Sequence, residues 1–263
     1  MDLKLKHKLA LVTGSTAGIG SAIASSLARE GAKVIVSGRT QSAVDGAVAR
    51  IKSESGGEVV GFAGDVSEAA VAEQLCRRHP AVDVLVNNLG IFEVKAFGEI
   101  SDADWRRFFE VNVLSGARLA RLYFPHMRER NWGRIIFISS ESGYQIPAEM
   151  IHYGMTKAAQ IAVARGLAEL TAGTGITVNS VLPGPTRSRG VGDYVAEMAA
   201  AAGKTPEAVE REFFQTARPG SLLQRFAAPE EVASLVTYVA SPLSAATNGA
   251  ALRVDGGVIK SAY

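Results

Sequence analysis

The chain has very little cysteine and no long apolar run, and both absences exclude classes of protein. Cys76 is the one cysteine among 263 residues, so neither a disulfide framework nor a cysteine-based zinc site can form within the sequence. No stretch approaches the ~20 apolar residues that a membrane helix needs. The opening letters "MDLKLKHKLALVTG" predict a buried strand rather than a signal peptide. We therefore expect a cytoplasmic protein that acts away from membranes.

A large charge of one sign is absent as well. Lysine and arginine number 28 against 26 acidic residues, and the two signs are interspersed along the chain. Nucleic-acid binders concentrate basic residues on one face, whereas the richest basic stretch here, 121–134, has the pattern of a solvated helix end. We expect no nucleic-acid partner and no metal site, and we expect a small-molecule ligand.

Short apolar runs alternate with helical patterns along the whole chain. Strands that are apolar on both faces and separated by helices are typical of a parallel sheet with helices on both faces. Seven such runs predict strands at 8–14, 33–39, 58–65, 82–88, 133–140, 176–184 and 251–257. The patterns between them predict helices at 18–32, 41–57, 68–78, 102–130, 152–171 and 229–240. We expect a single α/β domain over 1–263 with a doubly wound, seven-stranded parallel sheet.

The segment 186–220 interrupts this alternation. It carries two short helical patterns, 193–202 and 206–216, and Thr205 with Pro206 has the composition of an N-cap and a first helical turn. An insertion after the carboxyl end of a strand lies where open α/β sheets bind ligands. We predict a substrate lid here, and the alternative is that the two helices form a fixed part of the domain.

A glycine-rich stretch, "TGSTAGIG", joins the first strand to the first helix. Its glycines, Gly14, Gly18 and Gly20, let the backbone approach a pyrophosphate closely, and the helix N-terminus supplies amide donors. A plain glycine turn is the alternative interpretation. Because the stretch follows directly after the first strand, we predict a dinucleotide-phosphate site.

The stretch "IHYGMTKAA" places Tyr153 four residues ahead of Lys157. On a helix these positions share one face, so the lysine charge bears on the phenol. A nearby cation stabilises phenolate and lowers the phenol pKa, which permits proton transfer near neutral pH. From these residues alone, a packed tyrosine beside a solvated lysine remains an alternative.

Several ordered motifs together resemble those of the short-chain dehydrogenase/reductase family. They are "TGSTAGIG", "NNLG" at 87–90, Asn112, "ISS" ending at Ser140, Tyr153 with Lys157, and "PGP" at 183–185. The resemblance extends from about 8 to 257 and is greatest to the 3-oxoacyl-carrier-protein reductase-like subgroup. It implies a Rossmann-type fold and hydride transfer between a nicotinamide cofactor and a ketone or secondary alcohol. A dinucleotide-sensing protein without turnover and an isomerase or dehydratase are alternatives.

The resemblance also implies roles for individual residues. Tyr153 matches the acid/base, and Lys157 matches the residue that lowers the tyrosine pKa and holds the nicotinamide ribose. Ser140 matches the hydroxyl that hydrogen-bonds the substrate oxygen. Asn112 matches the residue that supports Lys157 through a water and a proton relay. Donors at that oxygen stabilise the charge left by hydride transfer.

The choice of cofactor depends on the residues after the second strand. An acidic residue there selects NAD through the ribose hydroxyls, and a basic residue pairs with the 2′-phosphate of NADP. Gly38 followed by Arg39 therefore predicts a preference for NADP(H), with NAD(H) possible. The resemblance implies cofactor contacts from Gly14, Ser15, Thr16, Gly18, Ile19, Gly20, Arg39, Asp65, Val66, Asn87, Gly90, Tyr153, Lys157, Pro183, Gly184, Thr186 and Ser188.

The residues around Tyr153 are candidates for the substrate pocket. We predict substrate contacts from Ser140, Gln145, Glu149 and Tyr153. Further candidates for the pocket wall are Phe92, Phe97, Ile146, Met150 and His152. Family members commonly form tetramers through helices that correspond to 102–130 and 152–171, so we expect a homotetramer.

Overall fold

The seven predicted strands form one parallel sheet. The computed structural model describes residues 2–262, apart from the side chains of 189, 190, 193, 194 and 197, so the predicted domain limits 1 and 263 lie outside the described residues. The strands are β1 (Leu9–Val12), β2 (Lys33–Gly38), β3 (Val59–Ala63), β4 (Val84–Asn87), β5 (Gly133–Ile138), β6 (Ile176–Pro183) and β7 (Ala251–Val254). Their order is β3-β2-β1-β4-β5-β6-β7. The order reverses between β1 and β4, which opens a crevice at the carboxyl ends of the strands.

Helices cover both faces of the sheet, as the apolar pattern predicts. They are α1 (Gly18–Arg29), α2 (Gln41–Ser55), α3 (Ala69–Arg78), α4 (Asp102–Phe109), α5 (Ser115–Glu129), α6 (Ile151–Glu169), α7 (Arg189–Ala202), α8 (Pro206–Thr216) and α9 (Pro229–Ala240). Successive side chains of a strand point to opposite faces. Accordingly, Val34 and Val36 pack with residues of α1, α2 and α9, whereas Ile35 packs with residues of α3, α5 and α6.

Several predicted boundaries differ from those in the structure, and three of the differences have a clear local cause. The helix predicted at 102–130 is divided by a wider, π-helical turn at Glu110–Leu114. The helix predicted to begin at 193 begins at Arg189, because the Ser188 hydroxyl accepts a hydrogen bond from the Val191 amide. The first strand ends at Val12 instead of 14, since Gly14 has a φ of 61°, which is incompatible with a strand.

Arg134, the second residue of β5, carries a buried positive charge. Its side chain is almost fully buried, and burial lowers the pKa of the guanidinium to about 10. The guanidinium donates to the carbonyl oxygens of Ser241, Gly133 and Gly175 at 3.2, 2.8 and 2.9 Å. It therefore joins β5 to the segments that precede β6 and follow α9.

We expect Arg134→Met to lower the free energy of unfolding by roughly 2–3 kcal/mol, because it leaves buried carbonyl oxygens without a donor. Urea unfolding followed by circular dichroism measures this change. Arg128→Ala, at an exposed position, is the control and should change the value by less than about 0.5 kcal/mol. Similar stability of the two variants would contradict the assigned role of Arg134.

Candidate active site

The glycine loop lies at the crevice between β1 and β4. Gly14 and Gly18 have φ values of 61° and 56°, and a Cβ on Gly20 would lie 2.6 Å from the Gly14 carbonyl oxygen. Within the described residues, no side chain caps the N-terminus of α1, so its first amides remain free for an anion. The loop thus has the form that the sequence predicted for it.

Thr13 and Asn88 hold this loop against the end of β4. The Thr13 hydroxyl accepts hydrogen bonds from the amides of Asn88 and Leu89, both at 2.9 Å. The Asn88 side chain donates to the carbonyl oxygens of Thr13 and Gly14 at 2.9 and 3.1 Å. Neither residue was singled out from the sequence, although Asn88 belongs to the "NNLG" motif that carries the resemblance.

Two residues predicted to contact a cofactor turn their side chains into the fold. The buried Ser15 hydroxyl donates to the Val12 carbonyl at 2.6 Å and accepts from the Ser37 amide at 3.0 Å. The buried Asn87 side chain lies against Gly116 of α5, where an added Cβ would be 3.3 Å from its Cγ. Any cofactor contact from Ser15 or Asn87 would therefore come from the main chain.

Thr16 fills the space above the end of β2. A Cβ on Gly38 would lie 2.4 Å from the Thr16 Cγ2 atom, so any larger residue at position 38 would require the Thr16 side chain to move. Arg39 is exposed beside this point. Arg50 of α2 donates to the Thr16 carbonyl and to the Ser21 hydroxyl, both at 3.0 Å. The structure thus brings a second guanidinium, which sequence reasoning missed, to the rim of the glycine loop.

The predicted adenine contacts follow β3. Asp65 accepts hydrogen bonds from the amide and hydroxyl of Ser67 at 3.0 and 2.6 Å, and this arrangement precedes α3. Val66 is buried in the core on the α3 side of the sheet. The side chain of Asp65 therefore orders the loop at which the sequence predicts contacts with the adenine ring.

Ser140, Tyr153 and Lys157 line one cavity of about 690 Å³ at the carboxyl ends of the strands. Lys157 is buried, and its Nζ atom donates to the Ile138 carbonyl at 2.9 Å and to Gln160 Oε1 at 3.1 Å. Burial lowers the pKa of the Lys157 ammonium to about 8. The cation lies 5.5 Å from the centre of the Tyr153 ring.

Asn112 lies in the π-helical turn and is connected to Lys157 through Gln160. The Gln160 amide donates to the Asn112 carbonyl oxygen at 2.7 Å, and its oxygen accepts from Lys157. The Asn112 side chain donates to the Thr156 hydroxyl at 2.9 Å and accepts from the Ile91 amide at 2.8 Å. The structure thus links the main chain of Asn112 to Lys157 through the Gln160 side chain, which sequence reasoning missed, while the Asn112 side chain contacts Thr156 and Ile91.

The expected lowering of the Tyr153 pKa is not found. Burial raises the pKa of the Tyr153 phenol, and the negative charge of Glu141 raises it further. A hydrogen bond with Ser140 and the charge of Arg218 act in the opposite direction. Lys157 does not lower it, because burial brings the pKa of the Lys157 ammonium to about 8, so this side chain loses its charge before the Tyr153 phenol ionises.

The remaining predicted residues divide between the cavity and the surface. The cavity lining includes Ile19, Gly90, Phe92, Glu149, Met150, Pro183, Gly184, Thr186 and Ser188. Gln145, Phe97 and Ile146 are exposed and lie outside the lining. His152 is buried, with its ring centre 4.1 Å from that of Phe108, and it also lies outside.

The segment 186–220, which the sequence predicts to be a lid, supplies much of the apolar wall of the cavity. The apolar lining side chains from this segment are Val191, Val195, Met198, Ala202, Val209, Phe213 and Ala217. In the part of the chain whose side chains the structure describes, which leaves out those of 189, 190, 193, 194 and 197, no group of three or more histidine, cysteine or acidic residues could hold a metal ion. In the same part of the chain, no helix combines the length and apolar character needed to cross a membrane.

Comparison with known proteins identifies the family to which the chain belongs. A family model described as short chain dehydrogenase matches residues 8–211. The chain is 47% identical over 264 residues to an uncharacterized oxidoreductase, YvrD, of Bacillus subtilis, covering 99% of this chain and 100% of that protein. It is 31% identical over 262 residues to 3-oxoacyl-[acyl-carrier-protein] reductase FabG of Aquifex aeolicus, covering 98% of this chain and 100% of that protein.

A solved structure gives the corresponding match in three dimensions. L-sorbose reductase from Gluconobacter frateurii, complexed with NADPH and L-sorbose, superposes with a TM-score of 0.93 at 30% identity. The match covers 99% of this chain and 100% of the reductase. The chain therefore shares its fold with that reductase over almost its whole length.

The buried Lys157 should make stability depend on pH. Its folded pKa, about 8, lies below the usual value of 10.5, so between these pH values the unfolded chain binds more protons and stability rises with pH. Relative to Lys157→Met, the wild type should regain roughly 2–3 kcal/mol across that window. Lys52→Met, at an exposed lysine, is the control. Parallel stability curves for the wild type and Lys157→Met in denaturant titrations would contradict this expectation.

Proposed function

The chain belongs to the short-chain dehydrogenase family, and we propose that it transfers a hydride between a nicotinamide cofactor and a ketone or secondary alcohol. The observation that carries the proposal is the convergence of Ser140, Tyr153 and Lys157 in one cavity beside the glycine loop, with Asn112 linked behind them. A hydroxyl, a phenol and an ammonium in one apolar cavity suit proton transfer to a carbonyl oxygen.

The residues present fit a dinucleotide. The glycine loop and the uncapped α1 N-terminus suit a pyrophosphate. Gly90 lies beside Lys157, since a Cβ there would be 3.5 Å from its Nζ atom. We propose that the cofactor is held by residues of the glycine loop, by main-chain groups after β4 and by the segment after β6, namely Gly14, Thr16, Gly18, Ile19, Gly20, Gly90, Tyr153, Lys157, Pro183, Gly184, Thr186 and Ser188.

The proposed chemistry divides between cofactor and protein. The nicotinamide, when bound, supplies or accepts the hydride. Tyr153 gives its phenol proton to the carbonyl oxygen in reduction and removes the alcohol proton in oxidation. Ser140 lies beside the same oxygen, and Lys157 holds the ribose and contributes positive charge. These donors act where negative charge develops, so they lower the barrier more than they stabilise bound substrate.

We further propose a preference for NADP(H) over NAD(H). Position 38 is a glycine, so the carboxylate that would select NAD is absent. The Thr16 Cγ2 atom occupies the space that a Cβ at this position would need. Arg39 and Arg50 place two guanidinium groups near the loop, and guanidinium binds phosphate through charge-assisted hydrogen bonds. L-sorbose reductase, a structural relative, was solved with NADPH.

The lid and the assembly are parts of the same proposal. The segment 186–220 is proposed to close over the substrate, and its apolar lining favours a substrate with a hydrophobic part. A homotetramer is proposed to form through α5 and α6, where small exposed residues such as Ala162 and Gly166 allow close helix packing. We also propose that residues 1–263 form a single domain.

Tyr153→Phe tests the proposed reaction. If Tyr153 donates the proton, turnover should fall by the ~10²–10⁴-fold typical of losing a general acid, while NADPH binding measured by fluorescence survives. Turnover is followed by absorbance of the reduced nicotinamide with a panel of ketones and alcohols. Tyr144→Phe, at a tyrosine that is 52% exposed, is the matched control. Turnover near the wild-type rate in Tyr153→Phe would refute the assignment.

Arg39→Ala tests the cofactor preference. Removing a charge-assisted phosphate contact should raise the Michaelis constant for NADPH about tenfold and leave that for NADH within about twofold. Arg50→Ala should have the same sign if the second guanidinium contributes. Lys52→Ala, which removes an exposed cation from the same helix, controls for general electrostatics. Equal effects on both cofactors would show that Arg39 does not select the phosphate.

A further inference from the structure

Arg218, which follows α8, lies in the wall of the proposed active-site cavity with one nitrogen unused. Its Nε atom donates to Glu141 Oε1 at 3.1 Å, and its Nη1 atom donates to the Ala217 carbonyl oxygen at 2.8 Å and to Glu149 Oε1 at 3.4 Å. Within the described part of the chain, Nη2 makes no hydrogen bond, and it is not one of the buried polar atoms that lack a partner. This nitrogen is therefore a donor that solvent or a ligand can reach.

The contacts of the other two nitrogens fix the position of Nη2. A guanidinium group is planar and rigid, so holding Nε and Nη1 determines where the third nitrogen lies. The Arg218 side chain is only 11% exposed, and the surface that it does expose contributes to the cavity lining. Nη2 is thus a fixed donor at the wall of the cavity.

Glu149 supplies an acceptor beside this donor. Its carboxylate also lines the cavity, is 46% exposed and contacts Arg218 through Oε1 alone. Among the residues that the structure describes, no donor engages Oε2. The Glu149 carbonyl oxygen accepts from the Lys95 amide at 3.0 Å, which holds the segment before α6 in place. The cavity wall therefore presents a guanidinium donor next to a carboxylate acceptor.

This pair lies one side chain away from the hydroxyl that is proposed to contact the reacting oxygen. The buried Glu141 carboxylate accepts from the Ser140 hydroxyl through Oε2 at 2.5 Å and from Arg218 through Oε1. A substrate whose carbonyl oxygen lies beside Ser140 would therefore bring the atoms next to that carbonyl to Arg218 and Glu149.

We propose that Arg218 and Glu149 form a clamp for a hydroxyl group close to the substrate carbonyl, so that the enzyme prefers hydroxyketones to ketones without a second polar group. The proposal rests on the function proposed above and names the substrate class of the same site. Both residues contact the substrate away from the reacting atoms, so they determine specificity and take no part in proton transfer.

The donors and acceptors of the clamp select a hydroxyl over a charged group. A hydroxyl can accept a hydrogen bond from Arg218 and donate one to Glu149. A carboxylate has no proton for Glu149, and it would meet the two negative charges of Glu141 and Glu149 against one guanidinium. An ammonium has no lone pair with which to accept from Arg218. Only a group that both donates and accepts satisfies the two sides of the clamp.

Matched ketones test the clamp on the full chain with NADPH, followed by absorbance of the reduced nicotinamide. Hydroxyacetone is compared with acetone, and diacetone alcohol with methyl isobutyl ketone, because the members of each pair differ by one hydroxyl group. In at least one pair, kcat/KM should be at least about tenfold higher for the hydroxyketone, since its partner leaves charged groups without a hydrogen bond. No preference in either pair would overturn the proposal. A higher kcat/KM for pyruvate or aminoacetone than for hydroxyacetone would overturn it as well.

Substitutions assign the preference to the clamp through the ratio of kcat/KM within a pair, because a general loss of activity affects both ketones alike. Glu149→Leu removes the acceptor and should lower the ratio by at least about threefold, whereas Glu149→Gln keeps an oxygen acceptor and should retain more of it. Arg218→Gln should also lower the ratio, and Glu149→Leu keeps the test decisive if loss of the Glu141 partner prevents folding. Arg211→Gln, at an exposed arginine of α8 outside the cavity lining, is the control and should leave the ratio unchanged. An unchanged ratio in Glu149→Leu would contradict the clamp.

Binding without turnover separates the clamp from the proposed reaction. The Tyr153→Phe protein with NADPH is titrated with the same ketones, and weak binding is measured by ligand-observed nuclear magnetic resonance. Tighter binding of the hydroxyketones that is lost on adding Glu149→Leu, with no turnover of any ketone by the wild type, would support the clamp and reject the proposed reaction. Turnover without a preference for hydroxyketones would support the reaction and reject the clamp.

Discussion

The pairing of β1 with β4 is the interaction on which the site depends. These strands are distant in sequence, and their parallel register, with Val12 opposite Val86, brings the glycine loop and the "NNLG" segment to the same edge. Thr13 then accepts two amide hydrogen bonds from the segment after β4. Because the strand order reverses at this pair, the helices that follow β1 and β4 lie on opposite faces of the sheet, and a crevice opens between them.

Buried charge is the second constraint on this edge. Lys157 and Glu141 are both nearly inaccessible to water, and a charge in such surroundings is costly unless it is paired and hydrogen-bonded. Glu141 is compensated by Arg218 and by three serine groups. Lys157 has only a carbonyl and an amide oxygen, so its pKa falls instead. The same cavity is therefore lined by an anion paired with a guanidinium and by a cation that contacts neutral oxygens.

The sequence was sufficient for features that depend on local patterns. Consecutive apolar residues such as Val34, Ile35 and Val36 predict a strand buried on both faces, and glycine spacing predicts the loop after β1. The side-chain contacts that complete the site were not predictable in this way. Arg50 reaches Thr16 from 34 residues away, and Arg218 reaches Glu141 from 77 residues away. Their pairing depends on the packing of whole helices, which no local pattern encodes.

The predicted lid, residues 186–220, combines local apolar packing with a long-range ion pair. Val195, Phe214 and Phe226 form a small apolar cluster separate from the two cores on the faces of the sheet, so the lid helices pack mainly on one another. A segment with its own small core can move with little cost to the rest of the fold. Yet Arg218, just beyond α8, reaches back to the carboxylate beside Ser140. The segment is thus tied to the edge of the sheet by an ion pair between a guanidinium and a buried carboxylate.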